Sequence, residues 1–249
     1  MASSGKSSSR AGSSFCDVSV YPRMSVQKES GGFTSREIEK SARRLVTPHG
    51  RFFLLKDLAF KPTGVALGRP LPDDCLADQL WSAAQILDRF LGIIQPSRCR
   101  HFGFVPKSWY HVTVVNWTHF DDSPTVTNMP KRELPVVRDA LTAAVQKKEV
   151  SVRFAGLLLT KEGRLLVPGY PQDTSVARMR QDLSRAHQAF ASHLPPAAHI
   201  KLGHILVNVK NKSFAAVCEL VALLGRQINA SVLFRDLYTP AGRIPFGVP

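Results

Sequence analysis

The sequence predicts a mixed domain of the α/β or α+β class, and three observations carry that expectation. Of the 249 residues, 44% are apolar, close to the globular average and enough to bury a core. From Arg51 onward, short β-branched or aromatic runs alternate with segments of helical periodicity, the pattern of packed sheets and helices. No run of about 18 apolar residues occurs, so no membrane-spanning helix and no membrane partner are expected.

The elements follow in chain order. Residues 1–45 open with MASSGKSSSRAGSS, Ser-rich and free of acidic residues, and read as a disordered basic tail ahead of a domain spanning 46–249. RFFLLKDLAF (51–60) is an expected strand, and KPTGVALGRPLP (61–72) a turn-rich loop. Leu76, Leu80, Ala83, Leu87, Phe90 and Leu91 recur at three-to-four spacing behind Asp73 and Asp74, which predicts an N-capped amphipathic helix over 73–94. WYHVTVVNW (109–117) reads as a strand and 131–148 as a helix. Residues 150–160 and 164–170 read as two strands around a Lys-Glu-Gly turn. A helix over 174–194 stops at Pro195 and Pro196, a strand follows over 198–209, and Ser213 is the expected cap of a helix over 213–228. The chain closes on a hairpin in SVLFRDLYTPAGRIPFGV.

Lys and Arg number 33 against 19 Asp and Glu, a net charge of +14, which favours polyanionic partners such as RNA or phosphorylated nucleotides. The four cysteines show no C-x-x-C spacing, which argues against a zinc ribbon or a disulfide framework and makes a reducing, cytoplasmic location the expectation. An organelle transit peptide is the alternative reading of the Ser/Arg-rich start; a secretory signal is not, for want of an apolar stretch after the basic residues. No G-x-x-x-x-G-K-[ST] loop and no G-x-S-x-G elbow occur.

The chemistry concentrates on two strands that echo each other. His111-Val112-Thr113 and His199-Ile200-Lys201 share the form His, apolar, polar. Alternate strand residues share a face, so His111 projects with Thr113 and His199 with Lys201, while Val112, Val114, Ile200 and Leu202 turn into a core. An imidazole beside a phosphate-binding group, present twice, suits phosphodiester cleavage: one neutral histidine takes a proton from the nucleophile while a protonated one gives a proton to the leaving oxygen. The Lys201 ammonium favours the neutral form of His199, which inclines the assignment toward His199 as base and His111 as acid, although the sequence leaves the reverse assignment open.

With GLLLTKEGRLLVPGYP between them, these two strands resemble the 2H phosphoesterase superfamily, which includes RNA 2′,3′-cyclic phosphodiesterases and 2′-5′ RNA ligase-like proteins. The resemblance covers residues 50–249 and implies a bilobal α+β fold, two antiparallel sheets with outer helices around a central cleft. It implies His111, Thr113, His199 and Lys201 as the catalytic set, with no cofactor and no metal. Lys201 stands where that family carries Thr or Ser.

Tyr110, Trp117 and Arg153 are candidate substrate contacts, the aromatics by stacking on a base and the cation by holding phosphate. His204 falls by strand parity on the face of Ile200 and Leu202 and reads as a core histidine. A zinc site of His111, His199 and His204 lacks a carboxylate or thiolate at ligand spacing. The expectation is a monomeric phosphodiesterase with an RNA or nucleotide substrate. The alternatives are a non-catalytic RNA- or nucleotide-binding module on the same fold, and an interaction protein that binds through its basic tail.

Overall fold

The computed structural model describes residues 17–33, 64–68, 70–96, 101–116, 139, 141, 149–186, 197–239 and 242–246. The expected strand over 51–60 and Trp117 lie outside these residues, as do most of the expected helix over 131–148 and the end of that over 174–194.

The strands are β1 (Gly64–Leu67), β2 (Phe102–Phe104), β3 (Val112–Asn116), β4 (Val150–Ala155), β5 (Leu158–Leu159), β6 (Arg164–Pro171), β7 (Ala198–Ile205), β8 (Asn229–Phe234), β9 (Asp236–Thr239) and β10 (Gly242–Pro245). They form two antiparallel sheets, one in the order β10-β9-β1-β3, the other β2-β7-β6-β4-β8 with β5 paired to β6. The architecture is therefore α+β, with His199 on β7 of one sheet and His111 immediately before β3 of the other. Neither sheet is a contiguous piece of chain. Strand β2 from the first half joins the second sheet, and the β9–β10 hairpin at the far end returns to the first.

Among the described residues, four α-helices accompany the sheets: α1 (Val20–Met24), α2 (Asp74–Ile94), α3 (Ser175–Ala186) and α4 (Asn211–Gly225). Helix α2 forms where its apolar spacing predicts, burying Leu76, Leu80, Ala84, Leu87 and Leu91. Asp73 caps it by accepting the Leu76 N–H at 2.9 Å, a bond that stabilises such helix ends by about 1 kcal/mol. Helix α4 begins at Asn211, two residues before the expected cap Ser213, and no side chain caps it. The backbone secures that end instead, with Asn211 N–H donating to Gly31 at 2.8 Å and Lys210 bridged to Gly32.

Three stretches depart from the sequence reading. The expected strand over 109–117 starts only at Val112, because Lys107–Trp109 form a 3-10 turn and His111 stands just before β3. GVAL, inside the expected loop 61–72, is β1, paired to both β3 and β9. The expected tail includes residues 17–33, which pack on the second sheet, with Tyr21, Val26 and Phe33 buried. Val26 N–H donates to the Leu159 carbonyl at 2.8 Å and Ser25 bridges Thr160, so this segment extends the sheet past β5. Tyr21 lies among Leu158, Leu166 and Ala197. Three well-spaced apolar side chains suffice here because the sheet already offers the surface that buries them.

Candidate active site

The site begins with the alternation that the two motifs predict. Val112, Val114, Ile200 and Leu202 are fully buried, whereas His111, Thr113, His199 and Lys201 are all half-buried. Strands β3 and β7 adjoin although they belong to different sheets. His111 and His199 are close enough that positive charge on the first disfavours it on the second.

Each motif strand also carries a β-bulge at the same offset from its histidine. On β3 the register passes from Val115 opposite Val65 to Thr113 opposite Ala66, which leaves Val114 as the extra residue. On β7 it passes from Gly203 opposite Leu165 to Lys201 opposite Leu166, leaving Leu202. The offsets are 114 − 111 = 3 and 202 − 199 = 3. A bulge frees a backbone carbonyl from the ladder, and a buried carbonyl needs another donor. Leu202 receives the Val105 N–H at 2.9 Å. Val114 receives the Nε–H of Arg180 at 2.9 Å.

Arg180, on α3, is wholly buried and ties the two motifs together. Besides Val114, its guanidinium donates to the carbonyls of Thr113 at 3.0 Å and Ala197 at 3.3 Å. One planar group thus spans the first motif and the approach to the second, and its five fixed donors are what allow it to do so. The sequence carries a sign of this. Arg180 stands four residues after Val176 and three before Leu183, both fully buried, so a cation interrupts the apolar stripe of its helix.

The two histidines sit in different surroundings. His111 Nδ1 bonds the Trp109 carbonyl at 2.6 Å. A carbonyl only accepts, so Nδ1 carries the proton and Nε2 is left to exchange one. His199 has a buried Nδ1 with no hydrogen-bond partner among the described residues. Its pKa is pushed down to about 4, first by desolvation and then by the charges of Arg180, Lys201 and His111, against a raising contribution from the Ala197 backbone. At neutral pH it is an uncharged imidazole.

Of the proposed substrate contacts, Tyr110 is corrected. It is completely buried, and desolvation pushes its phenol well above the usual range, so its ring has no face to offer a base. Strand parity accounts for this, because the residue before His111 turns to the core side with Val112. Arg153 is exposed and bonds Asn229 Oδ1 at 3.0 Å. It lies on β4, opposite Tyr170 and separated from β7 by β6, and so shares the sheet face of His199 at two strands' remove.

His204 is the second correction. The Leu202 bulge shifts the register so that His204 lies opposite Arg164, while Lys201 faces Leu166 and His199 faces Pro168. Directly opposed residues share a sheet face, and Arg164, Leu166 and Pro168 alternate along one face of β6. His204 is therefore on the face of His199 and Lys201, although it is buried as a core residue would be. Among the described residues no three His, Cys, Asp or Glu side chains are placed to hold a metal ion.

The two-sheet architecture with a histidine motif at each sheet is the one that the 2H phosphoesterase resemblance implies. No protein-family model and no curated protein matches the chain. Among solved structures, the chain is similar to TT0787 of Thermus thermophilus, at 12% identity and a TM-score of 0.43 over 73% of this chain and 91% of that one. It is also similar to Usb1 of Kluyveromyces marxianus, at 12% identity and a TM-score of 0.38 over 74% and 96% of the two chains. The structure of that protein with uridine monophosphate gives 13%, 0.39, 76% and 99%. Similarity at this level leaves the chemistry to be read from the residues themselves.

Proposed function

We propose that the protein is a phosphodiesterase that needs no metal and cleaves 2′,3′-cyclic or 2′-5′ phosphodiester bonds in RNA or nucleotides by paired-histidine acid/base catalysis. The observation that carries this reading is the juxtaposition of two half-buried His-x-polar strands, bound together through Arg180. For a cyclic phosphate, His199 takes a proton from water as its oxygen bonds to phosphorus. The bond from phosphorus to one ribose oxygen breaks, and His111 gives that oxygen a proton from Nε2. The product is a phosphomonoester, and the two histidines have exchanged protonation states.

A base with a pKa near 4 is weak in the free protein. An anionic phosphate bound beside it opposes the effect of Arg180 and Lys201 and raises its basicity where substrate is present. Thr113 and Lys201 hold the non-bridging oxygens, and the ammonium stabilises charge that builds in the transition state. The positive charge of the chain as a whole favours a polyanionic substrate.

The test is turnover of 2′,3′-cyclic nucleotides and 2′-5′-linked oligonucleotides in EDTA, beside His111→Ala and His199→Ala. Activity in EDTA that both substitutions abolish is the expected result; loss of activity on chelation refutes the metal-free mechanism. A second reading, a nucleotide-binding module without catalysis, is favoured by Lys201 in place of a hydroxyl. Binding without turnover would select it. Lys201→Thr separates the two further, because a rate that rises shows that the lysine restrains an activity the site possesses.

A further inference from the structure

Lys201 stands two residues beyond His199 on the same face of β7, about 7 Å along the strand, and is half-buried. Leu166, opposite it on β6, is buried among Tyr21, Leu158 and Ala197. Apolar packing therefore flanks the ammonium, whose field is screened less than at an open surface. A second permanent cation lies close by, for Arg180 is wholly buried and the three carbonyls it bonds are neutral acceptors. Both charges are felt at His199. From the first motif come the Thr113 hydroxyl and the Nε2 of His111, whose Nδ1 is held by Trp109. A phosphate between the motifs thus meets three kinds of donor: protonated His111, the Thr113 hydroxyl and the Lys201 ammonium. A cyclic phosphodiester offers them two non-bridging oxygens and one negative charge. A phosphomonoester offers three terminal oxygens and, above its second pKa of about 6, two charges. A hydroxyl in place of Lys201 would keep the number of donor groups and remove one cation, so the loss would weigh more on the dianion than on the monoanion.

We infer that Lys201 makes the histidine site select the dianion of a phosphomonoester over the monoanion of a phosphodiester. The ligand held most tightly is then the product of the reaction and inhibits it. This rests on the proposed phosphodiesterase reading, which makes the monoester a product, and extends it from the bond that breaks to the species that occupies the site afterwards.

The experiment measures by calorimetry, at pH 7, the affinity of the wild-type chain, Lys201→Thr and Lys201→Arg for a 2′-deoxynucleoside 3′-monophosphate and for its methyl ester. The two ligands differ by one charge and one terminal oxygen, and neither carries the 2′ hydroxyl needed to close a cyclic phosphate. The expected result is a wild-type preference of about tenfold for the monoester, which drops to about two- to threefold in Lys201→Thr and persists in Lys201→Arg. A preference equal in wild type and Lys201→Thr, or absent from the wild type, overturns the inference. Turnover is read separately, on a 2′,3′-cyclic nucleotide. The monoester should inhibit wild type about tenfold more strongly than Lys201→Thr, and equal inhibition overturns the inference as well. Absence of turnover with the binding preference intact is a failure of the phosphodiesterase reading alone, and leaves Lys201 as the residue that selects the dianion.

Discussion

Arg180 sets a permanent positive charge beside His199 and, through its bonds to three carbonyls, holds the strand that bears it. The two effects are separable by substitution. In Arg180→Met the charge and the bonds both go, so the pKa of His199 should rise from about 4 while burial, the larger cause, still holds it below the ordinary histidine range, and turnover falls because the motif strands lose their tie. Arg180→Lys should leave that pKa nearer its wild-type value and still lose turnover, since one ammonium cannot reach three acceptors in the guanidinium geometry. Imidazole NMR titration beside kcat reads both, and a pKa that stays put in Arg180→Met would deny the electrostatic role. The same depressed pKa makes a stability prediction. Unfolded, His199 protonates near pH 6.5; folded, it does so near 4. Above 6.5 both states are neutral there and stability is fully retained. Between 6.5 and 4 only the unfolded state gains the proton, so this contribution to stability drops by roughly 1.4 kcal/mol per pH unit and levels off below 4. His199→Gln should flatten that slope in denaturant titrations across the same window. The four motif residues were legible because strand parity needs only the sequence. The buried role of Arg180 was only hinted at, since the Val114 carbonyl it serves is freed by a bulge 66 residues away in the chain.

The bulges are also where the reading of elements failed. Parity counted along β7 sends His204 to the core face, but a bulge inserts one residue and returns it to the histidine face. Register belongs to a pair of strands, and β6 and β7 find theirs only in the folded sheet. The segment GVAL shows the same limit, since four residues set among prolines and glycines carry too little local pattern to announce β1. By contrast, 73–94 and 198–205 were legible because a long apolar period and an alternating run speak for themselves. One element-level consequence is testable at Gly203, just past the second bulge. A Cβ there would collide with the Phe102 ring and the Gly103 carbonyl, so β2 approaches β7 too closely for any side chain. Gly203→Ala should cost about 1–3 kcal/mol, the usual range for overpacking, as β2 is forced away. Urea unfolding measures it, and a loss within about 0.5 kcal/mol, the range of a neutral surface change, would mean that the two strands are not so tightly apposed.

Across the whole molecule, the site depends on a segment that the sequence places in a polar tail. Tyr21 sends its hydroxyl to the end of the β6–β7 ladder, where it receives the Gly169 N–H at 3.1 Å and faces the carbonyls of Gly169 and Ala198. Ala198 immediately precedes His199, and Gly169 immediately follows Pro168, the residue opposite His199. The ring packs edge-on to Tyr170 at 5.5 Å and covers the histidine face of the second sheet on one flank. Tyr21→Phe keeps that ring and removes only the hydroxyl. It leaves a buried backbone donor and acceptors short of a partner, which costs about 1–3 kcal/mol, and it loosens the strand at the residue before His199. The expected outcome is lower stability together with a fall in kcat that exceeds any rise in KM, because the imidazole is mispositioned while Thr113 and Lys201 remain. Arg23→Ala, on the same short helix, is the control. Arg23 is exposed and, among the described residues, bonds Asp17 at 3.3 Å, so its removal should change stability by less than about 0.5 kcal/mol. Thermal unfolding and steady-state kinetics on the full chain distinguish the two. Equal behaviour of Tyr21→Phe and Arg23→Ala would show that residues 17–33 rest on the sheet without steadying the site.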